Sequence, residues 1–134
     1  MYGRNVGRPS VEIEFRPPSM PQYSAVVSLR GDHDITSASD VSTALGMLAA
    51  DALVDLSACT FIDSTLIGLL IRTARRVQGM SAQVDLLVTP DSAVARRLEL
   101  VDTDHFLTLY DHRSRAAVRE GFVLRLVDGR QLDR

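Results

Sequence analysis

A carboxylate and two hydroxyl groups stand side by side in Asp63-Ser64-Thr65, directly before a run of apolar residues. At the start of a helix, such oxygens accept hydrogen bonds from the free backbone N–H groups of the first turn, which stabilises the helix by about 0.5–2 kcal/mol. A serine hydroxyl in the same place can instead be phosphorylated, which adds a charge of about −1.5 to −2. The residue types favour the cap, and they leave both interpretations open.

Motifs for other kinds of chemistry are missing from the sequence. The chain contains no lysine, so it has no Walker-type phosphate loop, and no strand is followed by a dinucleotide-binding glycine fingerprint. The three histidines, His33, His105 and His112, do not fall at metal-ligand spacing with one another or with Cys59. A nucleophile elbow is absent, and a Ser-His-Asp set can be chosen from almost any domain. We therefore expect no cofactor, no metal and no enzymatic activity; an enzyme with an unrecognised site is the weakest option.

The composition is that of a soluble single domain, because 134 residues is an ordinary length for one folded unit. The net charge is −2, whereas a nucleic-acid-binding domain is normally basic. The longest apolar run, Leu66 to Ile71, is much shorter than the roughly 20 residues that cross a membrane. The single cysteine rules out an intramolecular disulfide. We expect a cytoplasmic protein that binds neither nucleic acid nor membrane, and the all-arginine basic residues favour a bacterial source.

Apolar patterning predicts an alternation of strands and helices. The segments with strand patterns are residues 11–15, 23–29, 52–56, 82–88 and 106–110. The helices between them begin near Thr36 or Ser37, at Ser64, and after Pro90-Asp91-Ser92. The second helix is expected to run from Ser64 to Gln78, and residues 30–34 read as a polar loop rich in turn formers.

The order of these elements, β-β-α-β-α-β-α-β, predicts an α/β fold with a mixed, mostly parallel sheet of four to five strands. We assign residues 8–111 to this domain and residues 112–134 to a C-terminal extension. In the extension, Arg113 to Glu120 has the pattern of a short helix, and Phe122 to Val127 that of a strand or docking segment. The sequence does not decide whether the extension packs on its own domain, exchanges with a second chain or stays loose, so a homodimer is one of the alternatives.

Several motifs along the chain resemble the STAS domain, the fold of bacterial anti-sigma factor antagonists. The resemblance covers roughly Val11 to Tyr110. Its motifs are Leu29-Arg30-Gly31-Asp32-His33-Asp34, Val54-Asp55-Leu56-Ser57, Phe61-Ile62-Asp63-Ser64-Thr65, Gly68-Leu69-Leu70, and the apolar spacing from Pro90 through Val94 and Leu98 to Val101. The Asp-Ser-Thr turn, at this place in the β-α order, is the most specific of them.

The resemblance implies a switch that works by binding. Members of this family bind an anti-sigma factor kinase of the histidine-kinase-like ATPase class and so release a sigma factor; a PP2C-type phosphatase reverses the phosphorylation. Carried over, Ser64 is the phosphoacceptor. The implied partner-binding residues are Gly31, Asp32, His33, Asp34, Asp63, Thr65 and Leu66. The alternative is a STAS-type small-ligand-binding or adaptor module that phosphorylation does not control.

Individual residues near these motifs leave further alternatives. The family usually carries glycine where this chain has Leu66, so we expect Leu66 to add an apolar side chain to the surface that a partner meets. His33 reads as a solvated loop residue between two acids, with a pH sensor as the alternative. Cys59 reads as a packed core residue, with a redox-active thiol as the alternative. The arginines of the second helix, Arg72, Arg75 and Arg76, are expected to form a solvated face or, as an alternative, a partner contact.

Overall fold

The computed structural model describes residues 8–101 and 122–125. Its strands are β1 Ser10–Phe15, β2 Ala25–His33, β3 Ala52–Asp55, β4 Cys59–Ile62, β5 Val84–Val88 and β6 Phe122–Arg125. Its helices are a 3-10 helix at Ile35–Ser37, then α1 Ala38–Leu45, α2 Ser64–Gln78 and α3 Ala93–Val101. The α/β fold class predicted from the sequence is confirmed, and α2 has the predicted bounds.

The described strands form one mixed sheet in the order β1-β2-β3-β5-β6, with β4 paired to β2 beside this path. The pairs of β2 with β3 and β4, and of β3 with β5, are parallel. The two outer strands, β1 and β6, run antiparallel to their neighbours. In the described residues, crossovers through α1 and α2 connect parallel strands, so the carboxyl ends of β2, β3, β4 and β5 lie at one edge of the sheet.

The sheet buries apolar side chains on both faces, because successive residues of a strand point to opposite sides. One face packs against the three helices in a large core that includes Val27, Val54 and Leu86. The opposite face holds a smaller cluster of Tyr23, Val26, Leu53 and Leu87. On that face the buried Tyr23 hydroxyl donates a hydrogen bond of 2.7 Å to the carboxylate of Asp85, also buried.

Two strand assignments from the sequence are corrected. The segment from Arg30 to His33 is not a loop, because β2 continues through it to His33. The continuation is possible because β4, which the sequence patterning did not predict, lies beside it as a parallel neighbour. The register shifts between Gly31 and Asp32, where Gly31 adopts φ 81°. That left-handed conformation favours glycine, since it costs other residues steric strain.

The C-terminal predictions divide into two groups. Phe122–Arg125 forms a strand, as one of the two alternatives proposed, and pairs antiparallel with β5. The strand at 106–110 and the helix at 113–120 lie outside the described residues. The domain boundary after residue 111 stays a prediction, although β6 belongs to the same sheet as the strands before that boundary.

Helix α2 connects the sheet to α1 through an arginine. The Arg76 guanidinium donates hydrogen bonds to the carbonyl oxygens of Leu45 (2.8 Å) and Leu48 (2.9 Å), at and just beyond the end of α1. The Leu45 oxygen also accepts from the Leu48 backbone N–H at 3.1 Å, and a cation at this end of α1 complements the helix dipole. Arg76 therefore has a structural task that the sequence did not assign to it. In the described part of the chain, no helix is sufficiently long and apolar to cross a membrane.

We expect Arg76→Met to lower the free energy of unfolding by about 1–3 kcal/mol, because hydrogen bonds to two carbonyl oxygens are lost while the aliphatic stem is kept. Urea denaturation followed by circular dichroism measures the change. Arg96→Met removes an exposed arginine from α3 and serves as the control, with an expected change within about 0.5 kcal/mol. Equal effects of the two substitutions would contradict the capping role.

Candidate functional site

The site lies where β2 and β4 end side by side. Asp32 pairs with Phe61 and His33 with Ile62 in the parallel register of the two strands. The Asp63 backbone N–H then donates to the His33 carbonyl oxygen at 3.2 Å, which ties the two strand ends together. Asp34 and Ser64 each come one residue after this link. The two motifs that the resemblance singled out, residues 31–34 and 63–65, are thus brought to the same edge of the sheet.

Asp63, and not Ser64 or Thr65, supplies the side-chain oxygen that caps α2. The carboxylate of Asp63 accepts a hydrogen bond of 3.1 Å from the backbone N–H of Leu66. Ser64 is the first residue of the helix and is exposed, as is Thr65. None of the described residues forms a hydrogen bond with the Ser64 hydroxyl. The stabilising oxygen therefore comes from Asp63, and the Ser64 hydroxyl is left facing solvent.

Asp34 occupies the equivalent place after β2. Its carboxylate accepts hydrogen bonds from the hydroxyl of Thr36 and from the Thr36 backbone N–H, the latter at 2.8 Å. The Thr36 hydroxyl and then the Thr36 backbone N–H lower the pKa of Asp34 below its ordinary value of 3.8. The carboxylate consequently stays ionised to lower pH than an ordinary aspartate. The sequence offered Thr36 or Ser37 as the cap of the first helix. Instead, Asp34 caps the 3-10 helix, and Ser37, which precedes α1, makes no side-chain cap.

Asp32 contributes a third carboxylate to this end of the sheet. Its side chain is exposed and accepts a hydrogen bond from the Thr60 hydroxyl of β4. Together with Asp34 and Asp63, it gives this end of the sheet three carboxylates. A phosphate on Ser64 would add to this charge, although the N-terminal end of the α2 dipole would partly stabilise it.

His33 is not a solvated loop residue, and that interpretation is corrected. Its side chain is 0% exposed, because His33 belongs to the face of β2 that packs against the helices. The Nε2 atom lies 3.0 Å from the Arg30 carbonyl oxygen and 3.2 Å from that of Ser10 in β1. Since carbonyl oxygens only accept, Nε2 carries a proton and donates. The Nδ1 atom lies 2.8 Å from the Ser37 hydroxyl oxygen.

His33 therefore joins β1, β2 and the 3-10 helix beneath the site surface. It can influence a partner only through the position of Asp34 and of the Asp63 backbone. Gly31 is likewise buried, and its contribution is the bend that its backbone allows.

Leu66 is also buried, so the expectation that it adds an apolar side chain to the partner surface is wrong. Its side chain is 0% exposed and belongs to the main core. In α2 the buried positions Leu66, Leu70, Ala74 and Val77 form one stripe, and Leu66 begins it directly below the Asp63 cap. The residue that replaces the usual glycine thus strengthens the anchoring of the helix and leaves the surface beside Ser64 unaltered.

Two features of the site were not identified from the sequence. Ile35 is 69% exposed in the 3-10 helix, immediately after Asp34. The guanidinium of Arg97 in α3 lies 4.8 Å from the ring centre of Phe61, at cation–π distance. An isolated isoleucine within a polar segment was the available signal for the first feature. The second depends on α3 packing against β4, which no local pattern encodes.

Cys59 is a core residue, as expected. It is buried in the main cluster, and its thiol donates to the Phe61 carbonyl oxygen at 3.2 Å. Burial raises the pKa of the Cys59 thiol to about 11, so little reactive thiolate is present at neutral pH. In the described residues, no group of His, Cys, Asp and Glu side chains is arranged to hold a metal ion.

Comparisons with known proteins identify similar families and structures. The STAS_2 family model, described as "Mlab, STAS domain", matches residues 18–110. An antisigma-factor antagonist STAS domain from Rhodobacter sphaeroides is similar at 15% identity and a TM-score of 0.46, over 58% of this chain and 84% of that chain. The anti-sigma factor antagonist SpoIIAA in its unphosphorylated form is similar at 18% identity and a TM-score of 0.48, over 66% of this chain and 80% of that chain. None of the curated proteins compared matches the chain.

We expect Thr36→Val to raise the pKa of Asp34 toward 3.8, because the donating hydroxyl, the largest cause of the lowered pKa, is removed. The rise is incomplete, since the backbone N–H of residue 36 still donates. A carbon-detected NMR titration of the Asp34 carboxyl group measures the midpoint. Thr43→Val removes an exposed hydroxyl that bonds within α1 and should leave that midpoint unchanged. A midpoint that stays the same in Thr36→Val would refute the stated cause.

We expect His33→Ala to lower the free energy of unfolding by about 2–4 kcal/mol, because it opens a cavity and leaves buried hydrogen-bonding groups unpaired. Chemical denaturation provides the measurement. Ile35→Ala, two residues away but exposed, should change stability by no more than about 0.5 kcal/mol. A small effect of His33→Ala would show that the buried imidazole does not hold the three elements together.

Proposed function

The chain belongs to the STAS_2 family, and we propose that it is an anti-sigma factor antagonist that binds an anti-sigma factor and is switched by phosphorylation of Ser64. In this proposal the protein acts by binding in the cytoplasm and catalyses no reaction of its own. Its partner is an anti-sigma factor kinase of the histidine-kinase-like ATPase class, and binding that kinase frees a sigma factor. A PP2C-type phosphatase returns the chain to its unphosphorylated, binding-competent form.

The observation that carries the proposal is that Asp63 caps α2 while Ser64 does not. Asp63 supplies the oxygen that caps α2, so the Ser64 hydroxyl is exposed and not needed to stabilise the helix. A kinase requires an accessible hydroxyl that it can reach and modify without unfolding the neighbouring structure. Ser64 meets that requirement, whereas Ser37 and Thr73, for example, are buried.

Charge explains how a phosphate on Ser64 would change binding. The edge around Ser64 carries the carboxylates of Asp32, Asp34 and Asp63, and the pKa of Asp34 is lowered further by Thr36, so its charge persists. Adding about −1.5 to −2 charges beside them repels any partner surface that approaches with carboxylates, and it also adds bulk. The unphosphorylated surface has hydroxyl groups from Ser64 and Thr65 in that place.

The partner-binding residues implied by the resemblance fall into two groups in this proposal, those at the surface and those that are buried. Asp32, Asp34, Asp63, Ser64 and Thr65 are at the surface and are proposed to meet the partner. Gly31, His33 and Leu66 are buried and are proposed to act by shaping that surface. Ile35 is proposed as an additional contact, because its exposed side chain follows Asp34 directly.

A second candidate function is a STAS-type module that binds a small ligand or serves as an adaptor. An open cleft of about 500 Å³ favours it, at the opposite end of the sheet from Ser64. It is lined by the proline-containing connection from β1 to β2 and by Ala50 and Asp51. Its volume lies within the range of small-molecule sites. Under this alternative, binding partners would not distinguish between the phosphorylated and unphosphorylated chains.

The test uses the purified chain and a purified histidine-kinase-like ATPase anti-sigma factor from the same genome. After incubation with Mg-ATP, mass spectrometry should locate one phosphate on Ser64, and Ser64→Ala should remain unmodified. Titration calorimetry should show binding of the unmodified chain, and Ser64→Glu should bind at least about tenfold more weakly. Ser19→Glu places the same charge on an exposed serine of the β1–β2 connection, at the opposite end of the sheet, and should bind like the unmodified chain.

Two outcomes would contradict the proposal. One is a phosphate on another residue, with Ser64→Ala modified to the same extent. The other is equal affinity of the unmodified chain and the Ser64→Glu variant. If no such ATPase binds, and native mass spectrometry of the chain finds a bound metabolite, the second candidate function is favoured.

A further inference from the structure

The strand β1 lies at one side of the sheet, and its outer edge is open to a further strand. It pairs with β2 along its inner edge, and none of the other described strands lies beside it. No loop or helix backbone of the described residues forms a hydrogen bond with β1. An edge strand therefore leaves about half of its backbone N–H and C=O groups without partners in the sheet. These groups can bind another extended chain.

An apolar groove of about 320 Å³ runs along this strand, between β1 and α1. It is lined by Val11, Ile13, Asp40, Thr43, Ala44 and Met47. Val11 and Ile13 pack against the main core but are only half-buried. Met47 is 52% exposed, and Phe15, which follows on the same side of β1, is 56% exposed. Apolar side chains next to an open strand edge are thus left uncovered by the described residues.

The opposite side of β1 is acidic. Glu12 and Glu14 alternate with the apolar residues and are exposed. Among the described residues, neither carboxylate forms an ion pair. Asp40 adds a carboxylate to the groove lining, and neither β1 nor α1 contains a basic residue. The strand edge therefore carries negative charge that no residue of these two elements neutralises.

We propose that the outer edge of β1 binds an extended segment of a partner protein in which apolar and basic side chains alternate. Successive side chains of a strand point to opposite faces of a sheet. In a segment paired with β1, the side chains on the helix side meet the apolar groove, and those on the other side meet Glu12 and Glu14. The pattern of β1 thus specifies the pattern of its partner.

Other occupants fit this edge less well. A second copy that paired its own β1 in antiparallel fashion would bring the glutamates of the two chains together on one face, and like charges opposite each other are destabilising. A nucleic acid would meet the same carboxylates. Charges on a sheet edge can also serve to prevent pairing. That role does not explain the uncovered groove, because exposed apolar side chains beside an edge favour pairing.

The test uses a capped synthetic peptide of four arginine–valine repeats and the full, isotope-labelled chain. An NMR titration should place the shift changes in β1 and along the groove side of α1, and amide exchange in β1 should slow at least about tenfold in the complex. A peptide with four arginines followed by four valines has the same composition but no alternation. It should bind at least about tenfold more weakly, because it cannot present its charges to one face only.

A charge variant tests the acidic side of β1. Glu12→Gln/Glu14→Gln should raise the dissociation constant of the alternating peptide at least about fivefold, because two exposed charge pairs are lost. Asp51→Asn/Asp91→Asn removes the same charge from exposed positions outside β1 and α1. Asparagine keeps the side-chain acceptor at position 51 and tolerates the positive φ of 62° at position 91. This control should stay within about twofold of the unmodified chain.

A second pair of variants tests the groove. Met47→Ser should raise the dissociation constant at least about threefold, because apolar area buried by the peptide is lost. Met80→Ser makes the same change at a methionine of similar exposure, 45%, beyond the end of α2. It should leave peptide binding unchanged. Both methionines are exposed, so the melting temperature should move little in either variant.

Several results would overturn the proposal. They are absence of binding up to about 1 mM peptide, equal affinity for the two peptides, shift changes away from β1 and α1, and equal effects of the variants and their controls. A dimer of the unmodified chain in light scattering that the alternating peptide dissociates would assign the edge to a second copy, and it would overturn the proposal as well. None of these measurements involves Ser64 or an anti-sigma factor, so the function proposed above stands or falls separately.

Discussion

The parallel pairing of the last residues of β2 with β4 is the constraint on which the site depends. It begins at Gly31, where a positive φ lets the strand change register, and it ends with the hydrogen bond from the Asp63 N–H to the His33 carbonyl oxygen. Without this pairing, the ends of β2 and β4 would not lie side by side, and Asp34 and Ser64 would not be brought together. With it, two helical elements start next to each other, each with an aspartate as its cap.

Buried polar groups below the edge hold this arrangement in one conformation. The imidazole of His33 contacts carbonyl oxygens of β1 and β2 and the hydroxyl of Ser37, so three elements share one side chain. A buried polar group is costly when its hydrogen bonds are lost. The network therefore disfavours small displacements of Asp34 and Asp63, and it keeps the surface that a partner meets rigid although its own atoms are hidden.

Helix α2 combines two roles on opposite sides. Its buried stripe, which starts with Leu66, attaches the helix to the sheet, and Arg76 attaches it to the end of α1. Its exposed side carries Ser64, Gly68 and Arg72, which make no described contribution to the core. Because the contacts that hold α2 in place are on its buried side, residues on its exposed side can be adapted to a partner. The helix can therefore keep its place while its outer surface changes charge on phosphorylation.

The sequence by itself determined the features that depend on local patterning. The α/β class, β1 and the bounds of α2 follow from the period of apolar residues and from Asp63 and Gly79 at the helix ends. The family resemblance followed from the Asp63-Ser64-Thr65 motif at its place in that order. Residues 102–121 and 126–134 lie outside what the structure describes, and the predictions that fall there stay predictions.

Only the tertiary structure decided which of these residues are inside and which are outside. His33 lies between two aspartates, so local polarity predicted a solvated loop, but pairing with β4, itself absent from the sequence-based expectation, continued the strand and buried the ring. Leu66 replaces a glycine expected at the surface, and the rotation of α2 on the sheet turned it into the core. Strand pairing and helix rotation depend on residues distant in sequence, which the pattern of any one segment does not contain. The sequence also left open which oxygen of the Asp63-Ser64-Thr65 turn caps α2; the structure shows that it is the Asp63 carboxylate and that Ser64 is exposed.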